Sequence, residues 1–235
     1  MALYAISDLH LSFGTNKPMD IFGGLWKNYE EKIKKNWIEQ VSSQDFVVIP
    51  GDISWGMDLK EAYPDFKYIN DLPGQKLLLR GNHDYYFSTK TKLENYFKEK
   101  GFTTLKYLHN NAIDVGKYII CGTRGWGKTE IGDVLSDKKI IVREQIRLKI
   151  SLEAAKKMQD EYLEQGIKKD IIVALHFPPF IGEFEKIMKE YDVKKCMYGH
   201  LHGFGHSMVK EGNIASIEYI MVGCDYTGFK LIEIK

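Results

Sequence analysis

Several absences narrow the class of this chain before any motif is considered. Its three cysteines, Cys121, Cys196 and Cys224, are odd in number and have no CxxC spacing, which excludes a disulfide framework and a zinc knuckle and fits a reducing cytoplasm. No apolar run reaches the roughly 18 residues that cross a bilayer. The N-terminus runs into a strand-like LYAIS, where an export signal would need a basic leader and an apolar core, so a chain neither exported nor anchored is expected. Charge of one sign is missing as well. A formal net charge of +1 over 235 residues argues against a protein held on nucleic acid or membrane by bulk electrostatics. Repeats and low-complexity linkers are absent. What remains, 44% hydrophobic and 28% charged residues, suits one globular domain over residues 1–235.

What the chain does have is a set of apolar runs that stop at Asp, Asn or His. Lys76 to Leu79 reads as a buried strand, Gly81 lets the backbone turn, and Asn82, His83 and Asp84 follow at the strand's carboxyl end, where open α/β sheets place their chemistry. Leu3 to Ser7 delivers Asp8 and His10, two residues apart and on the same side of an extended chain. Phe46 to Ile49 ends in Pro50, Gly51 and Asp52, Ile171 to Leu175 in His176, and Lys194 to Tyr198 in Gly199-His200-Leu201-His202-Gly203. Between them the spacing predicts helices over Asn28 to Val41, Asp58 to about Asn70, Thr89 to Gly101 and Lys138 to Gln165. Thr103 to Gly122 should begin a second sheet, and Ser207 to Ile234 should complete it. In the long helix, Arg143, Glu144 and Arg147 lie off the apolar stripe and are expected to be solvated or paired. Ser12 to Asn28 reads as a lid or substrate wall in which Phe13, Phe22 and Trp26 either line a pocket or pin a surface loop. The glycine-flanked Arg124 either forks onto a phosphate or makes a structural salt bridge.

Of the seven histidines, His10, His83, His176, His200 and His202 fall at predicted strand ends, while His109 sits in a polar turn and His206 starts a β run. With Asp8, Asp52 and Asn82 they supply nitrogen and oxygen donors for two metal ions and no sulfur, a set that suits manganese, iron or zinc. A shared ligand would be a carboxylate, Asp52 or Asp8, and two ions roughly 3.5 to 4 Å apart activate water against phosphoesters.

Asp8-x-His10, Gly51-Asp52, Gly81-Asn82-His83-Asp84, His176 and Gly199-His200-x-His202 together resemble the five ordered motifs of the calcineurin-like metallophosphoesterase superfamily. FGGLWKNYEEK, GDISW, RGNHDYY, GTRGW and YGHLHG resemble its bacterial predicted-phosphohydrolase branch. The resemblance implies an α/β fold, a four-layer α/β/β/α sandwich of two mixed sheets flanked by helices. It implies one metal on Asp8, His10, Asp52 and His202 and a second on Asp52, Asn82, His176 and His200, with Asp52 bridging. Manganese is the first expectation, with iron or zinc as alternatives. Water activated at the metals would attack phosphorus in line, His83 would protonate the leaving oxygen or stabilise charge there, Asp84 would orient His83, and Arg124 would add positive charge. The expected substrate is a small or lipid-linked phosphomonoester or phosphodiester. The alternatives are a metal-dependent nuclease, disfavoured by the charge balance, and a non-catalytic scaffold, disfavoured by the intact ligands.

Overall fold

Alternation along the first strands decides how the layers stack. In β2 (Phe46–Pro50) and β3 (Gln75–Leu79) successive side chains point to opposite faces. Val47, Ile49 and Leu78 on one face meet helices, and Val48, Leu77 and Leu79 on the other meet a second sheet. The computed structural model describes residues 1–127 and 134–235, and the side chains of all of these except 134–136.

The first sheet also holds β1 (Leu3–Ala5) and β4 (Leu105–Leu108), and runs β1-β2-β3-β4 in parallel. The second contains β5 (Ala112–Asp114), β6 (Tyr118–Thr123), β7 (Asp170–Leu175), β8 (Lys195–Tyr198), β9 (Gly212–Ile214) and β10 (Ile217–Met221). Its order is β5-β6-β7-β8-β10-β9, parallel within and antiparallel at both edges. Helices α1 (Tyr29–Gln40), α2 (Tyr63–Asp71) and α3 (Lys90–Glu99) cover the first sheet, with Tyr29, Ile33 and Trp37 marking the inward stripe of α1. Helices α4 (Val134–Glu164) and α5 (Phe184–Glu190) cover the second, through Leu148, Leu152, Ala155, Phe184, Ile187 and Met188. The result is the expected α/β/β/α sandwich of two mixed sheets. Among the described residues no helix is long and apolar enough to cross a membrane.

Three boundaries differ from the sequence expectation. Leu105–Leu108 ends the first sheet instead of opening the second, and β11 (Ile232–Glu233) returns antiparallel to β1 in the first sheet, with Tyr4 opposite Glu233. Helix α2 begins at Tyr63, because Asp58 Oδ1 accepts the amides of Lys60 and Glu61 at 2.9 Å and holds a turn ahead of Pro64.

Lys76, the second residue of β3, has no exposed surface, and its Nζ donates to the carbonyls of Asn70, Leu72 and Gly74 at 3.2, 2.5 and 2.9 Å. Those carbonyls close the end of α2 and the turn after it, so the buried amine acts as a helix C-cap. Lys76→Met keeps the apolar stem and removes all three donations. It should destabilise the chain by about 2 kcal/mol, read as a lower unfolding midpoint in urea, and an unchanged midpoint would rule the cap out.

Candidate metal centre

The carboxyl ends of β1, β2 and β3 in one sheet and of β7 and β8 in the other converge, so residues far apart in the chain meet at one edge of the sandwich. The turns there are tight. Asp8, His10, Asp52 and His200 all have positive φ (60°, 45°, 50° and 74°), a left-handed conformation costing about 1 kcal/mol per non-glycine residue. Two glycines admit the carboxylates. A Cβ on Gly81 would collide with Asp52 Oδ1, and one on Gly199 with Asp8 Oδ2.

Two donor groups result. Asp8, His10 and His202 can each offer a ligand atom to one metal ion, and so can Asp52, His176 and His200 to another, the atoms in each group lying within 4.8 Å of one another. His10 Nε2 and His202 Nε2 are 3.2 Å apart, and Asp8 Oδ1 is 3.4 Å from His202 Nε2. Asp52 Oδ2 faces both groups, 3.8 Å from His10 Nε2 and 3.4 Å from His176 Nε2. Asn82 joins the second group with Oδ1 2.7 Å from His176 Nε2.

Electrostatics test whether this set fits cations. Asp8 and Asp52 are almost wholly buried, at 0% and 1% exposure, and the ion pairs between charged side chains that the described residues give them involve only imidazoles. Burial, followed by the like charges of Asp84 and Asp8, pushes the Asp52 carboxyl well above its usual range. Burial also acts to raise Asp8, but the His202 hydrogen bond and the charges of His202, His176 and His10 outweigh it and hold Asp8 low. Burial lowers His176 to about 3 and His200 to about 4, and pushes His10 well down, so these rings are neutral and offer lone pairs. His176 Nδ1 lies 3.0 Å from the Pro50 carbonyl, which can only accept, so the ring proton sits there. The Nε2 lone pair is then left facing the oxygens of Asn82 and Asp52. The converging lone pairs of His10, His176 and His200 beside two buried carboxylates are what a hard or borderline cation satisfies, with His202 giving up its Nε2 proton to bind, and the donors fit.

The support around the donors was only partly foreseen. Asp225 Oδ1 accepts from His202 Nδ1 at 3.0 Å, and its Oδ2 lies 3.2 Å from His206 Nε2, so this carboxylate fixes the ligand ring. Burial opposes protonation of His202, yet hydrogen bonds to Asp225 and Asp8 raise it to about 10. The signal for Asp225 was present, because the apolar run of β10 continues into Val222-Gly223-Cys224-Asp225, again a strand that stops at an acid. His206 lies in a 3-10 turn (Gly203–Met208) and starts no strand.

Asp84, expected beside the His83 ring, gives both oxygens to the backbone: Oδ2 accepts from Asp52 N and Gly81 N at 3.0 and 2.7 Å, and Oδ1 from Ile53 N and Ser54 N at 2.8 and 3.3 Å. His83 itself packs 4.6 Å from Trp55 and 5.7 Å from His10, and its buried Nδ1 has no partner among the described residues. Arg124 takes the salt-bridge alternative, with Nη2 3.7 Å from Glu144 and its guanidinium 4.5 Å from the Trp126 ring, while its carbonyl accepts the amides of His176 and Phe177. Of the lid aromatics, only Trp26 reaches the centre, 6.2 Å from His10 and 6.1 Å from His202. Phe13 packs on Tyr68, and Phe22 points to solvent.

A two-sheet sandwich with paired nitrogen and oxygen donor groups at its strand ends is a metal-binding α/β architecture. A family model for calcineurin-like phosphoesterase matches residues 1–204, and the chain belongs to that family of metal-dependent phosphoesterases. No curated protein matches the chain. A solved structure of a protein of unknown function from Aquifex aeolicus is similar at 18% identity, over 99% of this chain and 95% of that one, with a TM-score of 0.49. Another solved structure, at 16% identity over 93% of this chain and 88% of its own, has a TM-score of 0.51 and shares the fold.

Proposed function

We propose that the chain is a dinuclear metallophosphoesterase, one domain over residues 1–235, that hydrolyses a phosphomonoester or phosphodiester of a small or lipid-linked molecule. The observation that carries this reading is Asp52, whose single oxygen Oδ2 faces donors of both groups, at 3.8 Å from His10 and 3.4 Å from His176. Asp8, His10, Asp52 and His202 would hold one ion and Asp52, Asn82, His176 and His200 the other. Manganese suits this sulfur-free set best, with iron or zinc compatible. Divalent cations bound there would supply Lewis acidity and an activated water at neutral pH.

The remaining work falls to the chain. Burial, then the charge of His202, lowers the proton affinity of His83; the negative charge of a bound phosphate acts the other way, so that His83 takes a proton from solvent and passes it to the leaving oxygen. Trp26, Trp55 and Phe177 pack on His202, His10 and His200 and exclude water from the ligand rings. Arg124 adds positive charge next to the second donor group. Ile21, Phe22 and Leu25 in the Ser12 to Asn28 segment and Phe204 in the turn after His202 are exposed apolar side chains, which supports a lipid-linked substrate. Free, buried Cys121, Cys196 and Cys224 support a reducing cytoplasm.

The test is hydrolysis of a chromogenic phosphodiester beside its monoester, with manganese and with a chelator control. Chelator-sensitive turnover is expected, and the larger rate names the ester class. A metal-loaded protein that turns over neither ester would overturn the reading. His83→Asn should lower kcat by about 10²-fold or more while two metal equivalents remain bound by elemental analysis.

A further inference from the structure

The Ser12 to Asn28 segment turns one set of side chains inward and another outward. It carries two 3-10 turns, Met19–Phe22 and Gly24–Trp26. Met19 and Trp26 are buried and anchor them: Met19 Sδ accepts the Trp55 indole N–H at 3.2 Å, and the Trp26 ring packs 5.1 Å from Tyr29 and 5.4 Å from Phe229. Ile21, Phe22 and Leu25, on the same two turns, are 72%, 65% and 52% exposed. Phe22 therefore neither lines a pocket nor pins the loop. Large apolar side chains held together in water by a well-anchored loop are unfavourable on a surface that meets only solvent, and they mark a docking face.

A basic recess adjoins them. Its volume is about 500 Å³, and its lining runs from Gly24, between Phe22 and Leu25, through Lys27 and Glu31 to Lys32 and Lys35 on α1. Lys32 Nζ donates to the Leu25 carbonyl at 2.6 Å and lies 5.1 Å over the Phe229 ring, so neutral groups hold this ammonium and tie the recess to the apolar turn. Lys27 and Lys35 are exposed.

The chemistry of the patch selects its occupant. Lysine is depleted from the centres of protein–protein interfaces, where its ammonium would lose its water. At a bilayer the two features are complementary, because apolar side chains enter the acyl boundary while lysines on flexible stems reach headgroup phosphates. A chain of net charge +1 has no bulk attraction to an anionic surface, so both parts of the patch are needed.

We propose that Ile21, Phe22 and Leu25, together with the recess lined by Lys27, Lys32 and Lys35, dock the protein on a bilayer that contains anionic phospholipid. Trp26, on the docking turn, lies 6.2 Å from His10 and 6.1 Å from His202, so docking holds the metal centre beside the headgroup layer. The consequence for the substrate, a phosphoester presented at the membrane, rests on the phosphoesterase reading, whereas the docking itself does not.

Cosedimentation of the full chain with vesicles tests it, using phosphatidylcholine alone beside phosphatidylcholine mixed with phosphatidylglycerol. The partition coefficient should be larger on the mixed vesicles by about tenfold or more. Phe22→Ser should lower it by about tenfold at every ionic strength. Lys35→Gln should lower it by about fivefold, a difference that salt removes. Both side chains are exposed, so both variants should unfold within a few degrees of the parent chain. No binding to either vesicle, equal binding to both, or binding to the mixed vesicles that either variant keeps in full overturns the proposal. If vesicles are not bound and the chain forms a dimer that Phe22→Ser dissociates, the face belongs to a second copy and the proposal is likewise overturned. The readout is binding with no ester present, so the two readings fail separately. A chain that docks but hydrolyses neither chromogenic ester upholds the docking and overturns the phosphoesterase reading, and one that hydrolyses an ester without docking does the reverse.

Discussion

Asp52→Asn is expected to leave the fold intact, to remove the stability gained on adding metal, and to lower kcat/KM by about 10³-fold or more. The amide has the shape of the carboxylate, and its oxygen can still accept the His83 amide that Asp52 Oδ1 accepts at 2.8 Å. What disappears is the charge on Oδ2, the atom facing both donor groups. Metal at about 100 times its Kd adds about 2.7 kcal/mol to the parent chain, an increase in Tm of about 5–10 °C at this size. Without metal the sign reverses. Burial and the neighbouring Asp84 and Asp8 hold the Asp52 carboxyl above its unfolded value, so the metal-free fold takes up this proton more readily than the unfolded chain. The contribution to stability is fully present below the unfolded pKa of 3.8 and is lost as pH rises through the raised folded value. The asparagine variant has no such loss, so without metal it should match or exceed the parent chain in Tm, increasingly as pH rises through that window. A variant that still bound two metal equivalents with unchanged turnover would falsify the bridging assignment.

The donor residues were legible because each depends on a local pattern. An apolar run followed by Asp, Asn or His is visible within a few residues, and it located Asp8, His10, Asp52, Asn82, His176, His200 and His202 at strand ends. The same rule applied to the run before Asp225 would have found the carboxylate that fixes His202. Sheet membership was less legible, because it is decided by long-range register. Leu105–Leu108 pairs with β3 and Ile232–Glu233 with β1, and nothing inside either short run says which sheet will take it. Glu144 is paired, one of the two outcomes expected for it, but its complete burial was not legible, for a related reason. On a helical wheel it lies off the stripe of Leu148, Leu152 and Ala155, and only the approach of Thr123 and Arg124 from the end of β6 encloses it. The role of Asp84 was misassigned because adjacency in sequence suggested the neighbouring ring, whereas the turn aims its carboxylate at amides of the Asp52 loop, about 30 residues away.

That misassignment yields the second large effect. Asp84→Asn should cost about 3 kcal/mol, a fall in Tm on the order of 10 °C, and should weaken metal binding by about 10 to 100-fold. The carboxylate accepts four backbone N–H groups, two on each oxygen, with the Tyr86 hydroxyl beside it, and the side chain has no exposed surface. An amide presents one oxygen and one NH₂, so whichever way it turns, two buried amides meet a donor. If the NH₂ replaces Oδ2, Asp52 N and Gly81 N lose their acceptor, and these are the residues whose close approach sets Asp52 under the Gly81 turn. If it replaces Oδ1, Ile53 N and Ser54 N lose theirs, and the loop carrying Asp52 is freed from the other side. Both orientations move the shared ligand, so the loss of metal affinity should accompany the loss of stability even though Asp84 is not among the proposed metal ligands. Calorimetric unfolding with and without manganese separates this from a role on His83. Parent-like Tm and metal affinity with reduced turnover would return Asp84 to the imidazole, whereas a joint fall in Tm and affinity identifies the carboxylate as the clamp that holds the Asp52 and Asn82 loops together.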